Sequence, residues 1–511
     1  MEKKPNMRTI RLLSAALAAA VLLSACGPAA EAPAGIGAPS RQFGQLRFEP
    51  CSLQGVGGGT TTEAQCARHE VPEDPARPQG RRIALNLAWL PATSQAGGSG
   101  DPVFFLAGGP GQAATEHAAV VNLALAEVRK QRDIVLIDQR GTGRSNPLAC
   151  VDARGEPMEL DQAAPSARDY AEFAQACAAS LAGRADPRLY TTTEAVADLE
   201  AVRAALRVEQ VNLVGVSYGT RVAQQYAARH PQHTRTLVLD GVAPNDLVVG
   251  GEFAGTLEDA LALQSAQCRR LPECRARFGT DMREQLRALM ARLAAAPVQV
   301  EYRDPGTGAS KREELTEHTV AGLAFAFSYA PQTASLLPLV LDEAAQSRYG
   351  PLMSLAQMMS GEMAGQMTQG MQWSVVCAED APRYRARPGD AGTVLGAELA
   401  TMFFAPCANW PAGSAPADFH APLSSPVPAL LLSGEIDPVT PPRYAERVLR
   451  GLPNGRHFEL SGQGHNVFGI GCMPKLLGQF LESADAAALD AGCLDTVGYV
   501  PPFTSFNGWS P

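Results

Sequence analysis

The sequence predicts an α/β fold, a mostly parallel central sheet flanked by helices, with a helical cap inserted into it. Three observations carry this reading. Strand-like and helix-like patterns alternate from about residue 81 to 242, as they do when parallel strands are joined by crossover helices. Val-Asn-Leu-Val-Gly (211–215), short, apolar and β-branched, runs into Gly-Val-Ser-Tyr-Gly (215–219) and then into a helical stretch, 220–230, closed by Pro231. The chain between Ser217 and Asp437 is too long for the two or three elements that would complete such a sheet, so an insertion at about 245–400 follows.

Taken in order, residues 1–25 read as a processing signal. Lys3, Lys4, Arg8 and Arg11 are its basic region, and the apolar Leu12–Leu23 is too short for an ordinary membrane span. Leu23-Ser-Ala-Cys26 has the form of a bacterial lipobox, which predicts lipidation of Cys26 and anchorage to a membrane of the cell envelope. Residues 26–43, rich in Ala, Pro and Gly, read as a tether. The sheet domain is expected over 44–244 and again over 401–511, with antiparallel edge strands within 44–90 and the cap over 245–400 between the two parts. In the cap, 257–271 and 282–293 have helical spacing, and Met359, Met363, Met367 and Met371 step by four as if along one helix face.

Export permits disulfides. Eleven cysteines less Cys26 leave an even number, and local spacing suggests 51–66, 150–177, 268–274, 377–407 and 472–493. The cysteines are dispersed and neither C-x-x-C nor H-E-x-x-H occurs, so no metal is expected, and the serine chemistry set out below needs no organic cofactor. A net charge of −9 offers no basic footprint for nucleic acid.

The strand–turn–helix around Ser217 is the setting that exposes a serine hydroxyl in a sharp turn, with the positive end of a helix beside it. Such a hydroxyl needs a base, and the base needs an orienting carboxylate. Of the eight histidines, His465 lies in the glycine-rich loop Ser-Gly-Gln-Gly-His-Asn (461–466) after the strand-like 456–460. His457 reads as structural, and His230 and His233 flank Pro231 at a helix end. For the carboxylate, Asp437 follows the apolar run 428–432 in a proline-stiffened loop; Asp240, after the strand 236–239, is its rival, and Glu435 is a nearer competitor. Ala-Gly-Gly-Pro-Gly (107–111) follows the strand Val-Phe-Phe-Leu (103–106). The backbone N–H groups of Tyr218 and of the Gly108–Gly109 segment are the expected oxyanion donors. A phosphate-binding reading of this loop is weak, because no Gly-Lys-Ser/Thr follows.

Together, Gly-Gly-Pro-Gly (108–111), Asp-Gln-Arg-Gly-Thr-Gly-Arg-Ser (138–145) and Gly-x-Ser-Tyr-Gly-Thr (215–220) resemble the prolyl-aminopeptidase and tripeptidyl-aminopeptidase branch of the α/β-hydrolases. The stretch Cys407-Ala-Asn-Trp410-Pro, the Asp437 loop and Gly464-His465 resemble the tripeptidyl type. The resemblance spans roughly 80–500. It implies an α/β-hydrolase fold and a serine peptidase releasing short peptides or single residues from free N-termini. It also implies cap or cleft acids that hold the substrate ammonium, for which Glu379, Asp380, Glu252 and Glu258 are the choices. Arg140 and Arg144 are expected to brace their loop. Ala107 stands where simple prolyl aminopeptidases carry His, and Tyr218 where they carry Trp; both argue against strict N-terminal proline specificity. An esterase on the same triad, and a non-catalytic surface-binding lipoprotein, are the alternatives.

Overall fold

A computed structural model describes residues 39–55, 60–94, 98–160, 166–279, 281–364 (backbone only at 360–364) and 367–507. The signal segment, Cys26 and most of the tether lie outside the described residues. From Ser40 onward the chain forms one compact unit.

The sheet has ten strands: β1 (Arg41–Phe43), β2 (Leu46–Gln54), β3 (Thr61–Pro72), β4 (Arg82–Leu90), β5 (Val103–Leu106), β6 (Ile134–Ile137), β7 (Val211–Val216), β8 (Thr234–Asp240), β11 (Ala429–Gly434) and β12 (Gly455–Leu460), in the order β1-β2-β3-β4-β6-β5-β7-β8-β11-β12. The first five in space pair antiparallel, and from β6 onward every pairing is parallel. Sequence explains the division. Every residue of β5, β6, β7 and β11 is buried, as parallel strands covered on both faces require, whereas β2 alternates in burial because one face meets solvent. Two apolar layers fill the two faces, one around Phe104, Leu213 and Leu237, the other around Phe105, Val214 and Leu430.

The insertion differs from the expected all-helical cap in two respects. It contains an antiparallel hairpin, β9 (Val298–Arg303) with β10 (Ser310–Leu315), in which only alternate residues of β9 are buried. In addition, its own core is built from 257–356 plus Val394, whereas the helix Gln369–Glu379 sends Met371, Trp373, Val375 and Cys377 into the main core. The methionine series therefore does not lie on one helix. Gly350–Ala364 ends before Met367 and a new helix begins at Gln369, so Met359 packs in the cap and Met371 in the sheet domain. All five expected cysteine pairs are joined. Among the described residues no helix is long and apolar enough to cross a membrane.

Candidate active site

The parallel strands deliver the candidate residues to one edge of the sheet, at their C-terminal ends. Ser217 follows β7 directly and sits at φ +56°, ψ −123°, a backbone state that costs a non-glycine residue about 1–3 kcal/mol. Its N–H donates to the Asp240 carbonyl at the end of β8 (2.8 Å). The glycines flanking it are required by close approach. A Cβ on Gly219 would lie 2.1 Å from the Leu106 carbonyl oxygen, and one on Gly215 would lie 2.4 Å from that of Gly219. The helix Tyr218–Arg229 can thus begin in contact with the end of β5. Tyr218 opens that helix, so its N–H is among those a helix leaves without an internal partner. Gly108 runs alongside, where a Cβ would stand 3.1 Å from Cβ of Ser217, and Gly109 holds φ +107°.

His465 and Asp437 come together as expected. The Asp437 carboxylate Oδ2 lies 2.7 Å from His465 Nδ1, and the aspartate side chain is fully buried. Burial works against the Asp437 charge, but the facing imidazole and the N–H groups of Thr440 and Val439 outweigh it and hold the carboxyl below its ordinary range. Burial likewise works against a charged His465, yet Asp437, and more distantly Asp240, raise its pKa above the ordinary imidazole value.

The rival acids turn out to brace the histidine loop. Asp240 is buried and accepts the N–H groups of Val467 (2.8 and 3.0 Å) and Phe468 (3.0 Å); burial pushes its carboxyl up to about 6, against those bonds. Glu435 accepts Ser461 Oγ (2.7 Å) and the Gly462 N–H (2.8 Å). His457 bonds Ser433 Oγ (3.0 Å) within the sheet, and His230 and His233 bound a short turn at the far end of the helix that Tyr218 begins.

Two further residues touching the histidine are not singled out by the sequence. Thr440 Oγ1 lies 2.8 Å from Asp437 Oδ2 and 3.1 Å from His465 Nδ1. Tyr329, reaching over from the cap, accepts the His465 N–H on its carbonyl (2.7 Å) and sets its ring edge-on to the imidazole, centroids 5.4 Å apart. Thr440 sits three residues after Asp437, the spacing at which a hydroxyl returns to an aspartate, so a local signal existed. Tyr329 had none, because its contact is made across the fold.

The four acids suggested for the substrate ammonium do not form one cluster of free carboxylates: Glu379 and Asp380 share Arg221, while Glu252 and Glu258 have other partners. Asp380 is fully buried against Arg221 (3.1 Å) and accepts the Val249 N–H (3.1 Å). Glu258 is taken by Arg287 and the Val394 N–H. The negative charge of both is already offset, which corrects the expectation that they face an amine. Glu379 is buried, accepts the Thr192 N–H (2.8 Å) and hydroxyl (2.9 Å), and is pushed up to about 8 by burial, with Arg221 acting against the shift. Glu252 is half-buried and bonds Tyr444 Oη (2.5 Å) through one oxygen. Of the two arginines, Arg140 braces as expected, bidentate to Asp198 (2.7 Å twice) and bonded to the carbonyls of Glu73 and Leu189. Arg144 does not: its side chain is exposed, and it is its backbone N–H that reaches Asp138 (3.2 Å).

Among the described residues, Glu200, His230 and His233 offer three ligand atoms within 4.8 Å of one another. Arg203 already engages both Glu200 oxygens (2.7 and 2.9 Å), so this carboxylate is committed to a guanidinium.

The alpha/beta hydrolase fold family matches residues 101–471. The serine protease Hip1 of Mycobacterium tuberculosis is 29% identical over 54% of this chain and 55% of its own length. The tripeptidyl aminopeptidase of Streptomyces lividans is 33% identical over 35% of each chain. A proline iminopeptidase of Neisseria gonorrhoeae is 31% identical over 28% of this chain and 33% of its own. The chain thus spans about half, or less, of the length of the curated relatives it matches.

Proposed function

This chain belongs to the α/β-hydrolase fold family, and we propose that it is an exported, lipid-anchored serine peptidase that releases short peptides or single residues from free N-termini. The observation that carries the reading is the buried Asp437–His465 pair, held at the same sheet edge as a strained Ser217. Serine peptidases and aminopeptidases among its relatives support it.

In the proposed reaction, His465 Nε2 takes the proton of Ser217 Oγ as the oxygen attacks the scissile carbonyl. Asp437 fixes the Nδ1–H tautomer and stabilises the imidazolium. The N–H of Tyr218 and one from Gly108–Gly109 receive the oxyanion, where prealigned donors are each worth about 3–4 kcal/mol of barrier. His465 then returns the proton to the leaving amine, and water repeats the sequence on the acyl-enzyme. Of the four acids, Glu252 is our choice to hold an α-ammonium, because its side chain is the most exposed (36%) and its ion pair with Arg387 is long (3.9 Å). Glu379, whose carboxyl burial pushes up and whose oxygens already accept from Thr192, suits a hydrogen-bonding role better.

The test is cleavage of one tripeptide anilide with its N-terminus free and then acetylated, using protein that starts after Cys26 and Ser217→Ala as background. Strong preference for the free amine is expected. Equal cleavage of both would remove amine recognition and favour an esterase-like acyl hydrolase.

A further inference from the structure

Asp437 is saturated with donors. Its Oδ1 accepts the N–H groups of Val439 and Thr440 (2.8 Å each), and its Oδ2 accepts His465 Nδ1–H (2.7 Å) and the Thr440 hydroxyl (2.8 Å). The Thr440 oxygen also lies 3.1 Å from His465 Nδ1. These three distances fix where the protons are. Two acceptors cannot face each other at 2.7 Å without a hydrogen between them, so Nδ1 carries the proton shared with Oδ2. Thr440 has one hydrogen, and Oδ2 has none to give, so that hydrogen points to the carboxylate. A lone pair of Thr440 Oγ1 is then left facing Nδ1–H.

We propose that Thr440 is a positioning residue for His465: its hydroxyl clamps the carboxylate and offers the imidazole a second acceptor, so that the ring is held in plane with Nε2 free on the Ser217 side. The inference rests on the triad reading given above. The surroundings agree with a fixed arrangement. Thr440 is 5% exposed, and its β-branched side chain has few rotamers available. Gly241 closes the third side: a Cβ there would stand 3.0 Å from His465 Cε1 and 3.1 Å from both Thr440 Oγ1 and Asn466 Nδ2, so there is little space into which the ring could swing. Other residues packed around the imidazole, Tyr329 through its carbonyl and ring and Asp240 through the next loop residues, locate the backbone of His465 and cap its face. Neither bonds the ring nitrogen that sets its rotation.

Thr440→Val keeps the shape and removes the hydroxyl; Thr440→Ser restores it. Valine should lower kcat about tenfold or more with KM nearly unchanged, because only the alignment of the base is disturbed, and serine should recover most of the loss. The low-field proton resonance of His465 Nδ1–H should shift or broaden in the valine variant and return in the serine variant. If valine impairs folding, Thr440→Ala carries the same comparison. Wild-type kcat with an unmoved Nδ1–H resonance in the valine variant would overturn the proposal, as would a serine variant no better than valine. Labelling of Ser217 in the parent protein by a fluorophosphonate probe is run alongside. Its failure would sink the triad reading, whereas the Nδ1–H resonance judges the Thr440 contact without any nucleophile.

Discussion

Gly464→Ala removes nothing and adds one methyl group, yet it should damage the protein in two measurable ways. A Cβ at this position would stand 2.2 Å from the Tyr329 carbonyl oxygen and 2.8 Å from its carbon. Ordinary contact is 3.4 Å or more, so the histidine loop and the cap must part by about 1 Å. Both obstacles are backbone, so no side chain can rotate away. The same movement strains the bond from His465 N–H to Tyr329 (2.7 Å). Overpacking of this kind costs about 1–3 kcal/mol and a lost hydrogen bond about 1 kcal/mol, so a loss of about 2–4 kcal/mol follows. In a chain of this size that lowers Tm by several degrees. Displacing a general base by about 1 Å should cost about a hundredfold in kcat. Thermal unfolding and steady-state kinetics on a peptide anilide read the two effects, with Gly498→Ala, where the added Cβ meets nothing within 4 Å, as the control. A Gly464→Ala protein with parental Tm and kcat would refute the close approach of cap and histidine loop.

Three other outcomes are expected. Asp437→Asn should abolish most turnover while leaving Tm within a few degrees, whereas Asp240→Asn should act chiefly on Tm, because Asp240 holds the backbone of Val467 and Phe468; equal kinetic losses in both would return Asp240 to contention as the orienting acid. Asp240 also sets a pH dependence of stability. Its folded pKa of about 6 lies above the ordinary 3.8, so its contribution is fully present below 3.8 and is lost as pH rises through about 6, on the order of 3 kcal/mol; denaturant midpoints of the parent and Asp240→Asn proteins, compared at pH 4 and 7, should converge or cross with rising pH, and parallel curves would contradict this. Arg221→Met leaves the buried Asp380 without its cation and should cost about 3–5 kcal/mol, most of it recovered by adding Asp380→Asn; a single variant as stable as the parent would show that the ion pair is not what holds this site.

The catalytic candidates were legible in the sequence because each stands where a local pattern ends. Ser217 and Asp437 follow short apolar runs that read as buried strands, His465 follows the more polar strand-like 456–460, and the strand ends then gather them. The five cysteine pairs were legible for a different reason, each joining cysteines close to one another in sequence. What escaped was long-range. Nothing local marks Tyr329 as a neighbour of His465, or Arg221 as the counter-ion of Asp380. The methionine periodicity misled because a helical period persists in sequence across a break that the chain makes between Ala364 and Gln369. The hairpin β9–β10 was overlooked because its second strand, Ser310–Leu315, is mostly charged and exposed, with little apolar alternation to announce it.

The hydrogen bond between His465 and Tyr329 bears on how such a protein can change its substrates. An inserted cap is easily pictured as an accessory, separable from the machinery beneath it. Here the accessory supplies one of the hands that holds the machinery. A replacement cap would have to present a carbonyl at the same point in space, however different its outer surface, or the histidine would lose its backbone anchor. Variation in specificity is therefore freest in the parts of the insertion remote from residues 329–330, and grafts that cut between residue 329 and the sheet should yield folded but idle proteins.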